Sequence, residues 1–186
     1  MISAVNVGFW NKLKLWPTTW VKETVYAVGD VMKPSTYAAH AYKCTTAGTS
    51  ASAEPTWSTT NGGTTSDGTA TWTTYDPKTY QIIAPQNATA PYITFGWETG
   101  VVVPTFADYE AIEDLTYWVN CFSDKSAADV AKISDQVLAA IDSTTLTVTG
   151  YTNMKCVREY IGPTLWDVET MIFMIPLRYR VWLDTT

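Results

Sequence analysis

The sequence predicts an α+β protein, with an antiparallel sheet and one main helix packed on it over residues 79–186 and a small all-β module over residues 18–76. Three observations predict this. A content of 46% hydrophobic and 13% aromatic residues is too apolar for a disordered chain. Short β-type runs separated by turn formers fill residues 20–72, whereas later runs alternate like longer strands around one capped amphipathic segment. Charge divides the chain in the same place: residues 1–78 carry 6 basic and 5 acidic residues, and residues 79–186 carry 6 basic and 13 acidic. The boundary falls near Asp76-Pro77.

Residues 1–17 form an N-terminal segment in which Ile2, Val5, Phe9, Leu13 and Trp16 follow the period of one helix face, so a short helix ending before Pro17 is expected. From Trp20 to Trp72 the runs "TVYAV", "HAYKCTT" and "TATWTT" are strand-like, and Gly29-Asp30, Lys33-Pro34, Asn61-Gly62-Gly63 and Asp67-Gly68 supply turns. Threonine suits the exposed face of a strand. Tyr26, Tyr42, Trp57 and Trp72 recur among these runs, which a flexible linker would not show. Trp20, Tyr26 and Trp72 are expected to serve simply to build a core in so small a module. Trp57, after Pro55 beside a polar loop, is the candidate for an exposed ring that stacks on a glycan.

Beyond Pro77, residues 80–84 and 92–97 read as strands broken by Pro85 and Pro91. "DLTYWVNCFS" alternates Leu115, Tyr117, Val119 and Cys121 against Thr116, Trp118, Asn120 and Phe122, a strand with both faces partly covered. Ser126 followed by Asp129 marks a helix start, and Val130, Ile133, Val137 and Ile141 make its apolar stripe up to about Asp142. "TNMKCVREYIG" and "ETMIFMIPLRYRVWLD" are the closing strands, and Pro176 places the second at an edge or a bulge.

The formal net charge of −6 argues against a general nucleic-acid binder, which needs clustered Lys and Arg. Cys44, Cys121 and Cys156 are odd in number and lack a CxxC pair, so buried free thiols are expected and neither a disulfide framework nor a metal site. No apolar run is long enough to span a bilayer, and the N-terminus lacks a signal-peptide pattern, so synthesis in a cytoplasm is expected, with no membrane association. His40 is the single histidine and has no nucleophile with an acidic partner near it in the sequence. No G-x-S-x-G, P-loop, HExxH or EF-hand pattern occurs. Asp108, Glu110, Glu113 and Asp114 read as a solvated acidic loop in preference to a glycosidase pair. No catalytic residue, metal or cofactor is expected.

The ordered features "W(x5)Y(x2)GD", "YKCTTAGTS", "EPTW" and "DGTATW" over residues 18–75 resemble small aromatic-rich β modules related to chitin- and cellulose-binding families. That resemblance implies a fold and a capacity for sugars. Whether the module binds glycan or is a passive decoration is left open. Over residues 79–184 the succession "APQNATAPYITFG", "LTYWVNCFSDKSAADVAKISDQVLAAIDS", "VREY" and "MIFMIPLRYRVW" resembles the tail-completion or tail-terminator family of long-tailed bacteriophages. The resemblance implies a virion protein made in the host bacterial cytoplasm and placed at the neck. There it forms a ring, usually of six copies, on the head-proximal end of the tail tube. It implies the tail tube protein and a head-completion or stopper protein as partners, with DNA passing through the lumen. An acidic lumen keeps a duplex from adhering, and Asp108, Glu110, Glu113 and Asp114 are the candidates for a lumen or rim loop. Members of that family open with a longer helix directly before the "PY" strand. Here a short helix and the Trp-rich module stand in that place, so the module is either inserted or replaces the helix. The alternative function is a carbohydrate-binding accessory protein of a virion.

Overall fold

A computed structural model describes residues 2–36, 40–75, 78–104, 112–142 and 144–184. They form two compact units, one of Met1–Trp16 with Lys78–Thr186 and one of Pro17–Pro77. The protein is α+β, mostly sheet with one main helix.

Helix α1 (Ile2–Leu13) buries Val5, Gly8, Phe9 and Leu13, following the predicted stripe, and carries Lys12 in its last turn, where a cation suits the helix dipole. It belongs to the larger unit.

The smaller unit is built of β1 (Thr18–Thr19), β2 (Val25–Tyr26), β3 (Val31–Lys33), β4 (Ala41–Thr46), β5 (Gly48–Thr49), β6 (Thr64–Asp67) and β7 (Ala70–Tyr75). One sheet has the order β1-β3-β4-β7-β6, and β2 pairs with β5. Along β7 the alternation sends Ala70, Trp72 and Thr74 inward and leaves Thr71, Thr73 and Tyr75 half-buried. The core is Tyr26, Met32, Tyr42, Cys44, Ala70 and Trp72, with Trp20 and Trp57 packed against it. At its centre Asp67 is buried, with 1% exposure. Its carboxylate accepts from Trp20 Nε1 at 2.8 Å, Trp72 Nε1 at 3.1 Å and Ala51 N at 2.8 Å. Three converging N–H donors compensate the burial of the charge. Gly68, in the turn after Asp67, has φ of +61°, and a Cβ there would lie 2.3 Å from the Thr49 carbonyl oxygen. Only glycine fits.

The larger unit continues with β8 (Thr79–Gln81), β9 (Tyr92–Val103), β10 (Ile112–Ser123), α2 (Ala127–Ile141), β11 (Thr152–Ile161), β12 (Leu165–Asp167) and β13 (Ile172–Asp184). The sheet has the order β11-β13-β10-β9-β8, with β12 also on β13. It is antiparallel except where β8 runs parallel to β9. Strand β8 stops at Gln81, shorter than predicted, because Ile82 turns the chain with φ of 67°. Strand β9 runs past Trp97 to Val103, longer than predicted, since β10 offers partners as far as Ile112. Strand β12 was not predicted.

One face of the sheet is the core. Leu115, Tyr117, Val119 and Cys121 of β10 and Ile175, Leu177, Tyr179, Val181 and Leu183 of β13 are buried there. Helix α2 covers them with Val130, Ile133, Val137 and Ile141. Its start is capped as predicted: the Ser126 side chain accepts from Asp129 N at 3.1 Å. Phe9 of α1 stacks on Tyr117, with ring centroids 4.3 Å apart. Tyr117 Oη donates to Asn6 Oδ1 at 2.9 Å, and burial raises its pKa strongly.

Pro176 corrects the edge expectation, because β13 lies between β11 and β10. Its carbonyl accepts from Gly162 N at 2.8 Å, so its nitrogen faces the same side. There β11 pairing has ended at Leu177 and β12 pairing reaches only Met174. A proline is tolerated because its missing N–H falls in that gap.

Val137 is fully buried, so Val137→Asp is expected to leave the larger unit unfolded. An unpaired carboxylate there costs several kcal/mol against a total stability of about 5–15 kcal/mol. Circular dichroism with an unchanged melting curve would show the stripe is not a core. Asp67→Ala strands three donors at about 1–3 kcal/mol each. It is expected to abolish the near-ultraviolet signal of the packed tryptophans, and an unaltered spectrum would rule out this role.

Candidate interaction surface

Because strand side chains alternate, the residues that line the core of the larger unit have neighbours on the opposite face. That face presents Thr116, Trp118, Asn120 and Phe122 from β10 and Met174, Pro176, Arg178, Arg180 and Trp182 from β13. Gly96 is required where Trp118 lies flat on β9, since a Cβ would come within 2.4 Å of the indole.

An ionic ladder runs across the middle of the face. Arg178 Nη2 donates to Glu98 Oε1 at 2.8 Å. Arg180 grips Asp114 with two bonds, Nε to Oδ1 at 2.7 Å and Nη2 to Oδ2, and its Nη1 lies 3.5 Å from Glu159 Oε1. The Asp114 carboxylate is buried while the Arg180 side chain is 43% exposed. The half-exposed Arg178–Glu98 pair contributes at most about 1 kcal/mol. The Arg180 fork matters more, since without it a buried carboxylate stands uncompensated.

Apolar hollows flank the ladder. One, of about 420 Å³, is lined by Val103, Ile112 and Trp182 with Asp114 and Arg180 at its side. The other, of about 370 Å³, is lined by Tyr92, Phe122, Leu165, Trp166 and Met174 among others. Tyr92 and Phe122 stack there at 4.6 Å. Asp167 beside it has both oxygens occupied by its own turn, accepting from Glu169 N at 3.0 Å and Thr170 Oγ1 at 2.8 Å.

The residues singled out in the sequence are not brought together. Asp108 and Glu110 lie outside the described residues. Glu113 and Asp114 stand in β10 and not in a loop. Glu113 is half-buried, and Asp114 is neutralised by Arg180, so it adds little net field to any lumen. In the smaller unit Trp57 is partly buried: its ring lies 4.5 Å from Tyr42 and 6.2 Å from Trp72, and its Nε1 donates to Glu54 Oε1 at 2.8 Å. Burial pushes the Glu54 carboxyl up, but hydrogen bonds from Ser35 and Trp57 outweigh it and hold the group below its ordinary value. Trp57 therefore packs against the module core, with one face of its ring on Tyr42. His40 is half-buried just before β4. The three cysteines are free and buried, and burial with the charge of Asp142 pushes the Cys156 thiol up to about 12. Among the described residues no His, Cys, Asp and Glu group could hold a metal ion. None of the described helices is long and apolar enough to cross a membrane.

No protein-family model matches the chain, and no curated protein does. Among solved structures, the chain is similar to one described as the virion of a native gene transfer agent particle. The identity is 12% over 57% of this chain and 78% of that chain, with a TM-score of 0.49. At that score the likeness carries no inference about role.

Sequence reasoning missed the ladder because its partners are far apart in the chain. Its only trace was the alternation of Arg178 and Arg180 in the last strand. Trp57→Ala is expected to destabilise the smaller unit by less than the about 3–5 kcal/mol of a fully buried Trp truncation, because the ring is only partly buried. Differential scanning calorimetry measures this. An unshifted transition combined with lost binding on a glycan array would restore the stacking role.

Proposed function

We propose that this chain is a structural protein of a phage virion, a tail-terminator or tail-completion protein. It forms a ring on the head-proximal end of the tail tube and joins the tail to head-completion proteins. The observation that supports this reading is the one-sided construction of the larger unit. Both helices cover one face of its sheet, and the other face keeps an ionic ladder between two apolar hollows. A face built this way suits burial against neighbours in an assembly. The order of motifs over residues 79–184 supports the family. The helix that the family resemblance expects before the "PY" strand also has a counterpart: α1 belongs to the unit that contains β9, and residues 17–77 stand between them in the sequence. In this reading the smaller unit is an insertion that decorates the neck.

A ring arises when head-to-tail contacts close by rotation. The acidic surplus of residues 79–186 suits a lumen through which DNA passes without adhering. The part it plays is architectural, without catalysis, metal or cofactor. Deletion of the gene is expected to yield overlong tails or tails that fail to join heads, and labelling should place the protein at the neck by electron microscopy. Tails of normal fixed length that join heads in its absence would sink the reading.

A further inference from the structure

We infer that copies of this chain join by strand addition, the bare half of β9 in one copy pairing with β11 of the next, an inference that rests on the ring reading for its closure. Strand β9 changes character along its length. Its first residues are flanked on both sides, by β10 and by β8, which pairs with Ile93, Thr94 and Phe95. Residues 97–103 pair with β10 alone among the described residues, and every one of them is exposed. Val101 is 61% exposed, and Val102 and Val103 about as bare as Trp97. Natural sheets blunt such edges with charge, proline or bulges. Here the one charged residue of the run, Glu98, is held by Arg178 and is the extra residue of a bulge between Trp97 and Thr99; beyond that bulge Gly100-Val101-Val102-Val103 carries neither charge nor proline, and β10 is its one strand partner among the described residues.

Direction makes β11 the strand that continues the sheet head-to-tail, whereas β9 could add to itself only about a two-fold axis, which closes no ring. At this end of the sheet the pairings line up across β11, β13, β10 and β9: Thr152 with Asp184, Asp184 with Ile112, Ile112 with Val103. Each neighbour is antiparallel, so the four strands alternate in direction, and β11 and β9 are the two outer ones. A second copy added in the same orientation sets its β11 antiparallel to this β9, and the alternation continues across the junction. The sheet also contains the means to curve. Register shifts at Thr116/Tyr117, Asn153/Lys155 and Arg158/Tyr160 bend and twist their strands, which a sheet that closes on itself requires.

The test uses the full chain. Val101→Cys and Thr152→Cys are made separately, both at exposed positions, the native thiols being buried. The variants are mixed at the highest soluble concentration and treated with a short bismaleimide. The expected product is a covalent dimer containing one of each, and the double variant should give closed rings or ladders. A product joining only Val101→Cys to itself would mean two-fold β9 pairing and would overturn the inference, as would a mixture that stays monomeric and uncross-linked. A Val101→Lys, Val103→Lys variant is expected to lose association while keeping its circular dichroism spectrum, and undiminished association would also overturn it. Gene deletion separates the two proposals: tails that depend on the protein but accept the lysine variant sink strand addition and spare the terminator reading. Cross-linking between 101 and 152 with normal tails in the deletion does the reverse.

Discussion

The larger unit depends on one constraint: a long antiparallel sheet must bury one complete face, and α2 alone does not finish the task. Helix α1 does, through Phe9 on Tyr117 and the bond from Tyr117 to Asn6, a contact between residues 111 positions apart. A stacked aromatic pair adds about 1 kcal/mol beyond its area, and the phenol needs a partner once buried. Because the helix that meets this need precedes residues 17–77 in the chain, the larger unit is discontinuous in sequence. Docking α1 therefore depends on non-local contacts, which carry a higher loop-closure cost than local ones.

The smaller unit solves a different problem. With seven short strands and a core of few residues, it has little apolar area to bury. Polar anchors make up the difference. Asp67 ties Trp20, Trp72 and Ala51 together; Tyr42 Oη donates to the Ser58 carbonyl at 2.8 Å, and Ser50 Oγ donates to the Val21 carbonyl at 2.8 Å. Each bond fixes a loop that the strands alone are too short to hold. The tryptophans thus serve as much through their N–H groups as through their ring faces.

On the uncovered face of the larger sheet, electrostatics and apolar surface are interleaved. Asp114 is buried and compensated, so the acidic surplus of this half must act through other carboxylates. Among them, Asp167 is committed to its own turn and Asp129 accepts from Ser123 Oγ at 2.5 Å. The two hollows lie at opposite ends of the ladder, which gives the face two apolar contact points separated by a polar strip. That division of labour is typical of surfaces that bind specifically: apolar points supply affinity and charges fix register.

Patterns that repeat within one element were determined by the sequence itself. The stripe and cap of α2, the face of α1, the alternation of β10 and the glycine turn at Gly68 all follow from local spacing, because backbone geometry dictates which neighbours share a face. The α+β class followed from them. What only the tertiary structure decided involves partners distant in the chain. The Asp114–Arg180 pair spans 66 positions, so a carboxylate that reads as solvated in sequence is buried in fact. Trp57 reads as a candidate exposed ring beside a polar loop, and the structure has it partly buried, with Tyr42 against one side of the ring. Pro176 reads as a mark of an edge or a bulge, and it lies in the middle of the sheet, accommodated by the gap between β11 and β12 pairing. The bare end of β9 was equally illegible, since a strand is an edge only by virtue of what fails to lie beside it, and that is settled by the packing of the whole sheet.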